Sequence, residues 1–286
     1  MSKQENKAVN FDDLTVGDEY LFGSLLLRDK EHTKQLIEKL IGIPDIEDIE
    51  FISVEDVHHN TYDNKGIRID VYIKSLTGVA YIVELQRTNT REIEKRMRFY
   101  QSVSDSRQLP PGKEGAYKNL KDNYVIFICR EDIFGKGLYK YSFENTCLEL
   151  KDLKLNDGSY KIVFNTQGTK GDVCTTVLDF LRLIEGKSVN DPFIKLLEAS
   201  AEEIKADEKW RLNYMQSKTW EQDNFDAGFD AGVEKGLEKG LEKGIEKEKI
   251  EMAKSLLADQ LPIEFISKHT GLPAQEIEKL KEDLLN

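Results

Sequence analysis

Residues Lys65–Gln86 read KGIRIDVYIKSLTGVAYIVELQ. Ile67, Ile69, Val71 and Ile73 alternate with polar or outward positions before Ser75-Leu76-Thr77-Gly78, and Val79, Tyr81 and Val83 alternate after it. This period of two predicts a pair of short strands joined by a tight turn. If the turn is symmetric about Leu76 and Thr77, Asp70 lies beside or diagonally across from Glu84, with side-chain carbons about 4.5 to 8 Å apart. Side chains two apart on a strand point the same way, so Gln86 joins that face and Leu85 turns toward the core. Two neighbouring carboxylates repel, and one must take up a proton unless a cation sits between them. A hard divalent ion such as Mg²⁺ accepts one or two carboxylates and fills its shell with waters and phosphate oxygens.

The 286 residues, 39% of them hydrophobic, are enough for one substantial domain with an appendage or for two small domains. Cys129, Cys147 and Cys174 are widely separated, with no CxxC and no histidine at ligand spacing. Neither a zinc cage nor a disulfide scaffold is indicated, and buried thiols in a reducing compartment are expected. The polar start MSKQENKAVN and the lack of a long uncharged apolar run predict a cytoplasmic chain with no membrane span. A net charge of -12 opposes broad attraction to nucleic acid, so any DNA contact has to be local or metal-assisted.

Upstream of the hairpin, residues 14–42 place Leu25, Leu26, Leu36, Ile37, Leu40 and Ile41 at helical intervals, with Gly42 where a helix would stop. One broken helix or two fits this pattern. Ile46–Val57 reads as a strand leading into the polar loop HHNTYDN, and His58-His59 is read as polar residues at a strand end in preference to a metal site. Downstream, Ile93, Met97, Tyr100 and Val103 form one helical stripe, made locally cationic by Arg91, Arg96 and Arg98. QLPPGKEGAYKN is a loop, and YVIFIC (Tyr124–Cys129) has the length and branching of a buried strand. LYKYSF, CLELKDLKL and YKIVFN look like short strands, and helices follow near 172–185, 191–206 and 207–220. Trp210 and Trp220 are expected to pack. The sum is an α/β architecture with a mixed sheet flanked by helices.

The ordered series DEYLFGSLL, RIDVYI, YIVELQRTN, KRMRFYQ, YVIFIC, IFGKGLYKYSFEN and VFNTQG resembles the Rpn family of recombination-promoting nucleases, also described as transposases, within the PD-(D/E)XK restriction-endonuclease-like fold. The likeness runs over roughly residues 12–250. It implies a metal-dependent DNA endonuclease using Mg²⁺, or Mn²⁺ in its place. Asp70 and Glu84 would be the metal ligands, joined by the Leu85 carbonyl, and Gln86 would stand where most of the superfamily carries lysine. Glu19 falls at the family's acidic position on the first helix, and Arg98, Tyr100 and Gln101 fit positions that face the active centre. The bland readings are a solvated hairpin face for Asp70 and Glu84, a simple pair of Arg98 with Glu94, a core role for Tyr100 and a surface role for Glu19.

From Phe229 the sequence FDAGVEKGLEKGLEKGIEKEK repeats every four residues, with glycine at 232, 236, 240 and 244 and Leu or Ile at 237, 241 and 245. The row drifts about 40° per repeat around an α-helix, and each glycine costs about 0.8 to 1 kcal/mol relative to alanine. Such a helix is weak alone: either it is a flexible spacer or its glycine row admits close approach by a second copy. Residues 249–286 predict three short helices broken at Pro262 and Gly271-Leu272-Pro273. SKHTGLPAQEIEKL is the candidate helix-turn-helix, with Lys268, His269 and Lys279 as its available phosphate contacts. Acids outnumber bases there, so a protein-interaction bundle fits equally well.

The organisation expected is therefore a nuclease-like domain over 12–188, a helical extension over 189–221, a Gly/Glu/Lys repeat over 222–250 and a small helical tail over 251–286. Three functions follow. One is a DNA endonuclease serving recombination or a mobile element. Another is a weakly active or inactive nuclease-fold scaffold that binds DNA, a reading favoured by Gln86. In the third the function lies in the tail, which joins copies of the chain into a homo-oligomer.

Overall fold

The computed structural model describes residues 10–58, 67–88, 92–109 and 116–285. A short 3₁₀ turn, Phe11–Asp13, precedes α1 (Glu19–Arg28), α2 (Lys30–Ile41), β1 (Ile49–His58), β2 (Ile67–Ser75), β3 (Ala80–Gln86) and α3 (Ile93–Gln108). Then come β4 (Asn123–Cys129), β5 (Lys140–Phe143), β6 (Ser159–Asn165), α4 (Thr175–Ile184), α5 (Pro192–Ala206), α6 (Glu208–Ala258), α7 (Ile263–Thr270) and α8 (Ala274–Leu285). His59, Arg91 and most of the loop after α3 lie outside the described residues. The chain divides into two compact units, residues 1–214 and 215–286.

In the first unit the six strands form one mixed sheet in the order β1-β2-β3-β4-β6-β5. β1, β2 and β3 pair antiparallel, β3, β4 and β6 pair parallel, and β5 returns antiparallel on β6. Parallel neighbours need a crossover, and α3 supplies it between β3 and β4. β4 is buried along its whole length, as its unbroken apolar sequence predicts for a strand covered on both faces.

Alternation along the strands divides the core. Val71, Ile73, Val83, Leu85, Ile126 and Ile128 pack with Leu21, Phe22, Leu36, Phe180 and Ile194 from α1, α2, α4 and α5. Tyr72, Ala80, Ile82, Val125 and Phe127 meet Ile93, Met97, Tyr100 and Val103 of α3 on the other face. The helical stretch 14–42 is two helices, because Asp29 ends α1 and caps α2, its carboxylate accepting from Glu31 N and His32 N. Gly42 closes α2 at φ 82°.

Three expectations fail. Cys129 is a buried thiol, but Cys147 is only half-buried and Cys174 is exposed. CLELKDLKL makes no strand: it turns, with an isolated bridge between Thr146 and Lys154, and Leu148, Leu150, Leu153 and Leu155 are exposed. Trp220 is exposed, whereas Trp210 packs against Tyr20 and Tyr214 and donates to Ser24 Oγ at 2.8 Å.

In the second unit Ala253, Ile266, Leu272 and Ile277 form a small core. Gly271, at φ 72°, ends α7, and the three-residue link to α8 has the length of a helix-turn-helix connection. The repeat is helical, lying within the continuous α6.

Candidate active site

The hairpin sets the site. Ser75 N donates to Val79 O at 2.9 Å and Gly78 N to Ser75 O at 3.0 Å. Gly78 takes φ 98°, the left-handed conformation that ends a three-residue loop. Glu47 braces this loop by accepting from Thr77 N and the Thr77 hydroxyl. The turn is thus centred on Thr77, and the register Lys74–Ala80, Tyr72–Ile82, Val71–Val83 leads Asp70 directly opposite Glu84. Here side chains replace the ladder. Asp70 N donates to Glu84 Oε1 at 2.9 Å, and Leu85 N donates to Asp70 Oδ2 at 2.9 Å. Each carboxylate caps an amide of the other strand.

Glu84 is 2% exposed. Burial first, then the charge of Asp70 and more weakly that of Glu19, push its carboxyl well above the usual carboxylate range, while Asp70 N and Arg96 pull the other way. Arg96 supplies the cation. Its Nη2 donates to Glu84 Oε2 at 3.1 Å and to the Tyr100 hydroxyl at 2.9 Å, and its Nη1 donates to Gln86 Oε1. The guanidinium also lies 5.4 Å from the ring centres of both Tyr100 and Phe127, within cation–π range. Burial, then Glu84, raises the Tyr100 phenol, which keeps it neutral, a hydroxyl that accepts from Arg96. Gln86 completes the cluster, its Nε2 donating to Thr88 O at 2.6 Å.

The structure therefore brings together Asp70, Glu84, Gln86 and Tyr100. Glu19 opens α1, partly exposed, and its charge reaches Glu84. Leu85 is buried and its amide is held by Asp70. Arg98 is not in the cluster. It is exposed, two residues and so about 200° around the helix from Arg96, which occupies the place expected for it. Gln101 is remote too, its carbonyl accepting from Asn123 Nδ2 at the start of β4, whereas Glu84 and Gln86 end β3. The helical stripe could have selected the arginine, because Arg96 is four residues before Tyr100 and Arg98 only two.

Asp18 also escaped the sequence reading. It is buried and caps α1 by accepting from Tyr20 N at 3.0 Å and Leu21 N at 3.2 Å. Its other oxygen accepts from Arg87 and from the Tyr214 hydroxyl, both at 3.2 Å. An aspartate just before EYLF is a recognisable N-cap signal. Its reach to Arg87, which follows Gln86, is tertiary.

Two carboxylates, one of them desolvated, form a donor set that suits a hard divalent ion with waters or phosphate oxygens completing its shell. Among the described residues no group of three or more His, Cys, Asp and Glu side chains could hold a metal. The pair offers two carboxylates to a divalent ion, not a closed cage. No helix of the described residues is long and apolar enough to cross a membrane. No curated protein and no solved structure matches the chain. Residues 19–157 match the family described as PD-(D/E)XK nuclease family transposase, a span that takes in the hairpin, α3 and β4. Over that span the chain is similar to the PD-(D/E)XK nuclease family transposases.

Proposed function

We propose that the chain is a divalent-metal-dependent DNA endonuclease, serving recombination or a mobile element. The observation that carries this reading is the pairing of Asp70 with buried Glu84 at the end of β3, beside Gln86 and Arg96. Asp70, Glu84 and the Leu85 carbonyl would hold Mg²⁺ or Mn²⁺, which supplies charge neutralisation at the scissile phosphate and acidifies a water. Hydrolysis adds a water oxygen to phosphorus and releases an alcohol that takes up a proton. Arg96, already beside Glu84, offers its guanidinium to the charge that grows on the phosphate oxygens. Gln86 cannot act as a cation, but its amide has lone-pair and N–H capacity left to orient the attacking water. Glu19 would add an outer carboxylate.

Incubation of the full chain with supercoiled plasmid and Mg²⁺ tests this. The expected result is nicking that falls to background in Asp70→Asn and Glu84→Gln. Undiminished nicking in both variants contradicts it. The second reading, a nuclease fold that binds DNA without turnover, is favoured by Gln86 and by the Arg96–Glu84 pair. DNA binding with no cleavage under Mg²⁺ or Mn²⁺ would support it.

We propose also that copies of the chain join through α6. Every residue from 222 to 249 is exposed, including Phe225, Phe229, Val233, Leu237, Leu241 and Ile245 at intervals of four. A glycine precedes each from Phe229 on, and beside Gly228, Gly232, Gly236, Gly240 and Gly244 a Cβ would meet nothing. The repeat thus has the form of a ridge of apolar side chains beside a glycine groove, and ridges along i±4 rows pack into one another.

A further inference from the structure

Gln86 and Cys129 are the last paired residues of β3 and β4. The next residues, Arg87 and Arg130, leave the sheet side by side, with Arg130 N bonded to Gln86 O at 3.1 Å. Adjacent strands are about 4.8 Å apart. Two arginines thus leave the sheet at the ends of β4 and of β3, which carries Glu84 and Gln86. They turn to the face of α1 and α4, while Glu84 meets Arg96 of α3 on the other.

Both are clamped from behind. Arg87 donates through Nε to Gly17 O at 3.0 Å and through Nη2 to Asp18 at 3.2 Å. Arg130 donates through Nε and Nη2 to the two oxygens of Glu185, at 3.0 and 2.9 Å. Glu185 is fixed in turn by the Thr166 hydroxyl at 2.8 Å. The carboxylates are sunk, with side chains of Asp18 and Glu185 only 6% and 7% exposed, while those of Arg87 and Arg130 are 45% and 48% exposed. In each arginine the clamp uses one edge of the fork, and among the described residues no group accepts from Nη1. The half-exposed guanidinium ends keep the net stabilisation by each pair modest, although an abandoned buried carboxylate would be costly. Their geometry instead fixes two long side chains with a donor edge turned outward, which removes the ordering cost of gripping an anion. A guanidinium fork matches phosphate oxygens. A chain of net charge -12 repels a polyanion as a whole, so cations at the end of these strands have to be placed individually.

We propose that Arg87 and Arg130 form a phosphate rail, holding the DNA backbone phosphates that flank the one at the Asp70–Glu84 site. The inference rests on the nuclease reading for the identity of its ligand, and it concerns binding alone.

The test is the salt dependence of binding by the full chain to a short fluorescein-labelled DNA duplex, followed by anisotropy in EDTA between about 50 and 200 mM KCl. Arg87→Gln and Arg130→Gln are each expected to reduce the slope of log K against log[KCl] by about 0.9, the value for one lost phosphate contact. Arg87→Lys and Arg130→Lys keep the charge and are expected to keep the slope. Should a single glutamine variant misfold around its abandoned carboxylate, Arg87→Gln/Asp18→Asn and Arg130→Gln/Glu185→Gln remove both charges together and are expected to show the same loss. A merely structural role would lower the melting temperature and leave the slope alone. Unchanged slopes in the glutamine and double variants, or no binding by the unaltered chain, overturn the proposal. Plasmid nicking with unchanged slopes removes the rail and leaves the nuclease reading. Reduced slopes without nicking do the reverse.

Discussion

Glu84 is held where its ionised form is least comfortable, and that discomfort has a measurable sign. Its folded carboxyl is raised by burial and Asp70, so the folded state binds a proton more tightly than the unfolded chain, whose glutamates titrate near ~4.3. Its contribution to stability is present below that value and is lost as pH rises toward the folded one. In metal-free protein at neutral pH, Glu84→Gln is therefore expected to raise the melting temperature, by about 2–4 °C for each kcal/mol relieved, while abolishing nicking. A scan in EDTA checks it, and a lower melting temperature would mean that the Arg96 pair outweighs burial. Arg96 has the opposite sign. Arg96→Leu leaves Glu84 without its counter-ion and the Tyr100 hydroxyl without its donor, with an expected loss of about 2 kcal/mol by urea titration. Asp70 and Glu84 were legible because period-two alternation fixes which side chains share a face. Arg96 was separable from Arg98 only by helical phase relative to Tyr100.

Among the elements, α5 is fixed by a relay of aspartates. Asp179 on α4 accepts from Asn190 N at 2.6 Å and Asp191 N at 2.7 Å, and Asp191 caps α5 by accepting from Phe193 N and Ile194 N. The amide of Asp191, then that of Asn190, hold the Asp179 carboxyl below its usual value against its burial. Its stabilisation is complete above the unfolded value of ~3.9 and is lost as pH falls through the folded one. Asp179→Asn should cost about 1.5 to 3 kcal/mol at pH ~7 and flatten the acid limb, as urea titrations across pH would show. α1 has a steric constraint, since a Cβ on Gly23 would lie 2.5 Å from Val54 Cγ1 of β1. At this scale the sequence was informative wherever periodicity and burial agree, as in β2, β3, β4, α3 and α5. It misled at CLELKDLKL, whose leucines alternate like a strand but find no layer to cover them. Alternation records a pattern of side chains, and only tertiary packing decides whether that pattern is buried.

In the whole molecule, the family match covers residues 19–157, and α6, Glu208–Ala258, lies wholly outside that span in sequence. The glycine row was read as costly for an isolated helix, and α6 is nonetheless continuous from Glu208 to Ala258. If the row serves close approach by a second copy, replacing Gly232, Gly236, Gly240 and Gly244 with alanine should strengthen the helix by about 0.8 to 1 kcal/mol per site. The same change should shift the mass seen by sedimentation toward the monomer. An unaltered mass would make the row a feature of the helix alone. The central claim remains chemical, that Asp70 and Glu84 share one divalent ion. Its most direct test is Mn²⁺ uptake by the intact chain, followed by electron paramagnetic resonance with and without DNA. The account predicts bound Mn²⁺ in the unaltered protein, competed away by Mg²⁺ and lost in Asp70→Asn and Glu84→Gln. Equal uptake by the variants, or none by the unaltered chain even with DNA present, would contradict it.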